Sequence, residues 1–227
     1  MHALIDAPLE LDEDDLAAER GPGQASAIIG DQDLRLLLRD NRLALAMHSS
    51  IGIPVDDVTV GHDITLTCVA HAHPKCRFEW CRLVVDLSPT PSARIADMSP
   101  REVIDDRPVQ LTTTVGLGLK FDILADVLGA EIKPEYAKSR TVYFPQILSS
   151  GPGFTRGYWD FLAQSDQYLH ANRELRLLVH APRETPVESR FQLRARVKLA
   201  GLPGHIPLVA REGGIATTHR LDLLSDT

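Results

Sequence analysis

Ser189-Arg190-Phe191-Gln192-Leu193-Arg194-Ala195-Arg196-Val197-Lys198-Leu199 alternates without a break. Phe191, Leu193, Ala195, Val197 and Leu199 fall on one side, and Arg190, Gln192, Arg194, Arg196 and Lys198 on the other. Successive side chains of a strand point to opposite faces, so a period of two predicts a strand with one dry face and one wet, cationic face. Wound into a helix, the same pattern would scatter its apolar groups around the cylinder. Glu174 to Pro182 (Glu-Leu-Arg-Leu-Leu-Val-His-Ala-Pro) reads as the companion strand, and Arg173 and Arg176 are expected to extend the cationic stripe from it.

Working outward, similar signals recur. Ile64, Leu66, Cys68 and Ala70 alternate with Thr65, Thr67, Val69 and His71, and a His-Pro-Lys turn follows. Arg77 to Leu87 has few polar interruptions and reads as a more buried strand. Ser88 to Asp106, with Pro89, Pro91 and Pro100, reads as a long loop in which Ser99-Pro100 could open a short helix. Val109 to Phe121 is a further strand, with Val109, Leu111, Thr113, Val115, Leu117 and Leu119 on one face and Gly116 and Gly118 on the other. Asp122 to Gly129 suggests a helical turn or two. Pro145 inside Thr141–Leu148 predicts an edge strand or a bulge. Short strands also close the chain, at 206–209 and 217–223. Asp31 to Met47 reads two ways. Leu34, Leu37, Leu38 and Leu45 suit a helix capped by Asp31, whereas the Asp40-Asn41 pair suits a hairpin turn; the Leu, Arg and Ala content favours the helix.

Seven or eight strands separated by turn-rich connections, without alternating long helices, predict a mainly β chain: an antiparallel β-sandwich with one or two short helices. Residues 31–227 are expected to form this single domain. Residues 1–30, acidic at first and then rich in Gly, Pro, Ala and Ser, are expected to be a loosely held arm.

Charge is unevenly distributed. The net charge is −7, which disfavours nonspecific binding to nucleic acid or anionic membrane. Residues 1–33 carry nine acids against one Arg, and residues 171–200 carry seven bases against three acids. The acidic head could therefore fold over the basic face, although a solvated face is the plainer expectation. The first residues lack a basic and then apolar leader, and no apolar run approaches the roughly 20 residues that span a bilayer. Three cysteines in such a context point to a reducing cytosol.

Four stretches invite a functional reading. Cys68, His71, His73, Cys76 and Cys81 fall within fourteen positions. Zinc takes about four thiolate or imidazole ligands, and His71, His73, Cys76 and Cys81 are the candidate set for a zinc site or a metal-dependent hydrolase. The spacing departs from a zinc knuckle, and Cys68 and Cys81 read equally as small buried hydrophobes. Gly151-Pro152-Gly153-Phe154-Thr155-Arg156-Gly157-Tyr158-Trp159-Asp160-Phe161 holds four of the twelve aromatic residues. Phe154, Tyr158, Trp159 and Phe161 thus form either a recognition loop or a plug for one end of the sandwich. Arg190, Arg194 and Arg196 offer donors to an acidic partner. The pairs Asp56-Asp57 and Asp105-Asp106 would suit calcium only if their loops met.

Cys68 and, twelve residues on, Trp80 resemble the B-to-C strand signature of immunoglobulin domains. That resemblance spans about twenty residues, has no later Tyr-x-Cys, and implies a sandwich with a buried tryptophan and nothing about function. No Gly-x-Ser-x-Gly, His-Glu-x-x-His or phosphate-cradling Gly-Lys-Ser/Thr occurs. The reading is a cytoplasmic, non-catalytic protein-interaction or assembly module. It would bind a protein partner or itself through the aromatic loop and the basic face, without cofactor, unless the His/Cys cluster holds zinc.

Overall fold

The computed structural model describes residues 2–6, 9–12, 30–104, 109–114, 118–123, 137–142, 145–163, 171–201, 204–210 and 217–221. Strands dominate, and they are β1 (His2–Ile5), β2 (Leu9–Leu11), β3 (Arg42–Pro54), β4 (Thr59–His71), β5 (Cys76–Asp86), β6 (Arg94–Ser99), β7 (Glu102–Ile104), β8 (Val109–Thr114), β9 (Gly118–Ile123), β10 (Ala137–Val142), β11 (Pro145–Ser150), β12 (Arg156–Leu162), β13 (Ala171–Pro182), β14 (Glu188–Leu199), β15 (Ile206–Ala210) and β16 (Thr218–Arg220). One short helix, α1 (Asp31–Arg39), lies among them. A smaller sheet has the order β1-β3-β4-β13-β6, and a larger one the order β2-β15-β14-β5-β12-β11-β7, with β16 also on β14. Strands β10-β8-β9 form a third, three-stranded antiparallel sheet.

The two larger sheets share one core, which makes the fold the antiparallel β-sandwich expected from the strand pattern. The smaller sheet contributes Leu45, Ile64, Leu66, Leu177 and Val179, and the larger contributes Phe78, Leu83, Leu193, Val197 and Trp159. In β14 the alternation is realised residue by residue. Phe191, Leu193, Ala195, Val197 and Leu199 are buried, Arg190, Arg196 and Lys198 are exposed, and Gln192 and Arg194 are half-buried. Burying each large aliphatic chain contributes about 1.5–3 kcal/mol, and no other register keeps all five out of water.

β13 and β14 nevertheless lie in different sheets: the connection at 183–187 carries the chain across the sandwich. Arg176 therefore does not extend the β14 stripe. It sits on the smaller sheet, where its guanidinium donates to Asp63 Oδ1 at 2.6 Å. Arg173 is likewise on β13.

Several local expectations are corrected. Asp31–Met47 is both of its readings in series, a helix to Arg39 and then β3 from Arg42. Gly30, not Asp31, is the helix N-cap. Asn41, buried, makes the junction. Its amide donates to the carbonyls of Leu36 (3.1 Å) and Leu37 (3.0 Å), and its Oδ1 accepts from the His73 backbone N–H at 2.9 Å. The Leu37 carbonyl at the helix end thereby gains a partner, and the Leu36 carbonyl, which also accepts from the Asp40 N–H at 3.2 Å, gains a second. No helix starts at Ser99-Pro100, because Ser99 is paired with Arg176 of β13 and the chain turns directly into β7. Residues 122–123 close β9, while 124–129 lie outside the described residues. Pro145 opens β11, beside a register shift against β7 between Pro145 and Ile147.

The described part of the N-terminal arm is strand, not loose chain. β1 pairs with β3 in the smaller sheet, β2 pairs with β15 in the larger, and Leu4, Ile5 and Leu9 are buried. Residues 13–29 lie outside the described residues.

Candidate functional site

The recognition loop divides by parity. β12 pairs with β5 from Arg156↔Asp86 to Leu162↔Trp80. Gly157, Trp159 and Phe161 face the core, while Tyr158 and Asp160 take the opposite face. Trp159 is 0% exposed, and its indole N–H donates to the Pro100 carbonyl at 3.2 Å. Phe161 is also buried. Neither ring can meet a partner, so for these two the plug reading is the structural one. Gly157 is required where it stands: a Cβ there would lie 2.8 Å from both Ile95 Cδ1 and Met98 Sδ. Phe154, by contrast, is 69% exposed at the loop tip, with its carbonyl bound by the Ile95 N–H at 2.9 Å.

On the outer face of the larger sheet, registers bring together residues far apart in sequence. Arg82 of β5 lies between Asp160 of β12 and Arg194 of β14; one position along, Trp80 lies between Leu162 and Arg196. Asp160 organises the cluster. Its Oδ1 accepts from Arg82 Nε at 2.7 Å and from the Trp80 indole N–H at 3.1 Å, and its Oδ2 accepts from Arg82 Nη2 at 2.7 Å. So held, the Arg82 guanidinium lies 4.2 Å from the Tyr158 ring centroid and 5.2 Å from that of Trp80. Arg196 approaches the same Trp80 ring at 5.4 Å. Cations over aromatic faces contribute about 0.5–1 kcal/mol each at exposed sites, and the bidentate carboxylate keeps the fork in place. The result is a row of alternating guanidinium and ring across three strands: Tyr158, Arg82, Trp80, Arg196.

Trp80 is therefore not the buried tryptophan that the Cys68–Trp80 spacing implied; Trp159 occupies that role. A register shift between β5 and β14, where Glu79 is skipped between Phe78 and Trp80, turns Trp80 outward. Such a bulge re-aims the side chains beyond it. Arg82 was not singled out from sequence and Trp80 only as a buried ring, and the one signal available for the outer face was the polar parity of Tyr158 and Asp160. Of the predicted arginines, Arg196 belongs to the row. Arg194 lies 3.5 Å from buried Asp12, and Arg190 reaches the Thr218 hydroxyl at 3.4 Å. The acidic head thus meets the basic face at Asp12, and meets β3 where Asp6 binds Arg42 (2.6 Å).

The proposed zinc ligands are not gathered. Among the described residues no group of three or more His, Cys, Asp and Glu could hold a metal ion. His71 is exposed at the end of β4. His73 Nδ1 accepts from the Lys75 N–H at 3.2 Å. Cys76 is buried and takes the Asn41 amide at 3.4 Å, and burial pushes its thiol up. Cys81 faces Cys68 across the core, and that hydrogen bond together with burial raises it well above the ordinary thiol range. Zinc takes thiolate, which these surroundings oppose. Asp56 uses its carboxylate to bind the Val58 and Thr59 N–H groups in the β3–β4 turn, at 2.9 and 2.7 Å. Asp105 and Asp106 lie outside the described residues. Among the described residues no helix is long and apolar enough to cross a membrane.

No known protein family matches the chain, and no curated protein matches it. Among solved structures it is similar to Clostridium perfringens delta-toxin, at 10% identity and a TM-score of 0.31 over 78% of this chain and 75% of that one. It is similar also to a structure described as a pore forming protein, at 9% identity and a TM-score of 0.29 over 80% of this chain and 91% of that one. At these scores the likeness carries no argument about function.

Proposed function

We propose that the chain is a non-catalytic interaction module that binds an acidic segment of a protein partner on the outer face of its larger sheet. One observation carries this reading: the preorganised row Tyr158, Arg82, Trp80, Arg196, held by Asp160. Tyr, Trp and Arg supply most of the energy of protein interfaces, and rigid side chains lose less entropy on binding. All four residues of the row keep part of their surface in water. Arg196 and Arg190 are exposed on this face, and their guanidinium groups suit an acidic partner. Phe154 offers a separate apolar contact at the loop tip. No observation favours the metal reading, and it is not carried forward.

The test is quantitative capture of the native partner by the immobilised chain. Arg196→Glu and Tyr158→Ala should each reduce capture at least tenfold, and Arg196→Glu should also flatten its dependence on salt, while the melting temperature stays within a few degrees of wild type. Undiminished capture by both variants would remove this face from the function.

A further inference from the structure

Ser49 to Val55 reads Ser-Ser-Ile-Gly-Ile-Pro-Val and holds no charged residue. It forms the distal end of β3 and the residue beyond. On one side β3 pairs with β4 along its length, from Arg42↔His71 to Pro54↔Val60. On the other, β1 covers only Leu45 to Met47. From His48 to Pro54 that edge pairs with no other strand among the described residues. Its side chains are unusually apolar for an exposed position: Ile51 is 58% and Ile53 39% exposed, with Val55 beyond them. Proteins ordinarily blunt such an edge with lysine, a bulge or a cover, because unpaired N–H and C=O groups are a template for another strand. Here a register shift at Met47/Ser49 and Pro54 mark the two ends of the open segment, and nothing charged stands between them.

We propose that this edge is a homotypic interface, on which a second copy of the chain lays its own Ser49–Ile53 segment antiparallel about a twofold axis at Ile51. Two observations select the copy as occupant. β1 already pairs antiparallel on this same edge, so the added strand continues where β1 stops. The segment is also its own complement. The twofold sets Ile51 against Ile51, Ser50 against Gly52 and Ser49 against Ile53, with β-branched neighbours across the axis and no like charges opposed. A strongly charged partner strand would find no counter-charge there. Pairing fuses the five-stranded sheets of two copies into one continuous sheet. The interface lies on the opposite layer from the Trp80–Arg196 face, so failure of one leaves the other standing.

The experiment is sedimentation of the full chain from low micromolar to hundreds of micromolar, with three variants. Wild type should pass from monomer to dimer, with amides 48–54 gaining exchange protection in the dimer. Ile51→Lys should remain monomeric at an unchanged melting temperature, since Ile51 is exposed. Ile51→Cys should cross-link rapidly under diamide, two thiols giving one disulfide while the diazene takes up two electrons and two protons. Antiparallel neighbours lie within disulfide reach. Val58→Cys is a control, because Val58 is 72% exposed yet lies off the edge. The native cysteines are buried and do not compete. A chain that stays monomeric throughout, an Ile51→Lys variant that still dimerises, or equal cross-linking of the two cysteine variants each overturns the proposal.

Discussion

Replacing each tryptophan in turn separates core from contact surface. Trp159 is fully buried, packs within the shared core and donates its indole N–H to the Pro100 carbonyl. Truncating a buried Trp to Ala costs about 3–5 kcal/mol, from lost transfer energy and the cavity left behind. The unpaired Pro100 carbonyl falls on top of this, although it can turn to water near the surface. For a chain of this size each kcal/mol lowers the melting temperature by about 2–4 °C, so Trp159→Ala should melt at least about 6 °C below wild type. Trp80 is half-buried on the outer face and loses two cation contacts of about 0.5–1 kcal/mol each together with its indole bond to Asp160, whose Oδ1 keeps Arg82 Nε as a donor. Trp80→Ala should therefore melt closer to wild type than Trp159→Ala does, while losing partner capture. Urea unfolding followed by far-ultraviolet circular dichroism, with the slope checked for constancy, gives both stability changes. A Trp159→Ala variant as stable as wild type, or a Trp80→Ala variant as damaged as Trp159→Ala, would refute the assignment of faces.

Three further outcomes follow from local geometry. Asn41→Ala strips the Leu36 and Leu37 carbonyls and the His73 N–H of their buried partner, and should cost about 3 kcal/mol in urea unfolding. Gly157→Ala forces a methyl against Ile95 and Met98 and should cost about 1–3 kcal/mol, with the change visible as altered packing in near-ultraviolet dichroism. The Arg101 guanidinium holds the Asp97 carboxyl below its ordinary value. The stability it contributes is present above the unfolded carboxylate range, near pH 4, and disappears as pH falls through the lower folded value. Both groups are solvent-facing, so the effect is small. Arg101→Ala should nonetheless flatten the loss of melting temperature between neutral and acid pH, and an unchanged profile would show that the pair contributes nothing.

Periodicity made β14 legible. Five apolar and five polar positions in strict alternation admit one low-energy placement between core and water, and every one of them took it. The same logic was available in β12, where Tyr158 and Asp160 alternate with Trp159 and Phe161, yet the density of rings there suggested a loop. Composition could not resolve Asp31–Met47, because a helix of nine residues and a strand both suit leucine-rich segments. Asn41 decided the boundary through bonds to His73 and Cys76, more than thirty residues away.

The contact row was not legible for a related reason. Tyr158, Arg82, Trp80 and Arg196 come from three strands whose adjacency depends on long-range pairing. Trp80 faces outward only because the bulge at Glu79 changes the parity of β5. A one-residue slip of that kind leaves no trace in composition, and it exchanges every side chain beyond it between core and solvent. Alternation along the chain was therefore enough to establish strands, their wet and dry faces and the sandwich they build. Which strands lie side by side, which tryptophan is buried and which arginine joins the Trp80 row were set by hydrogen-bond registers between distant segments, since these form only when the whole core closes.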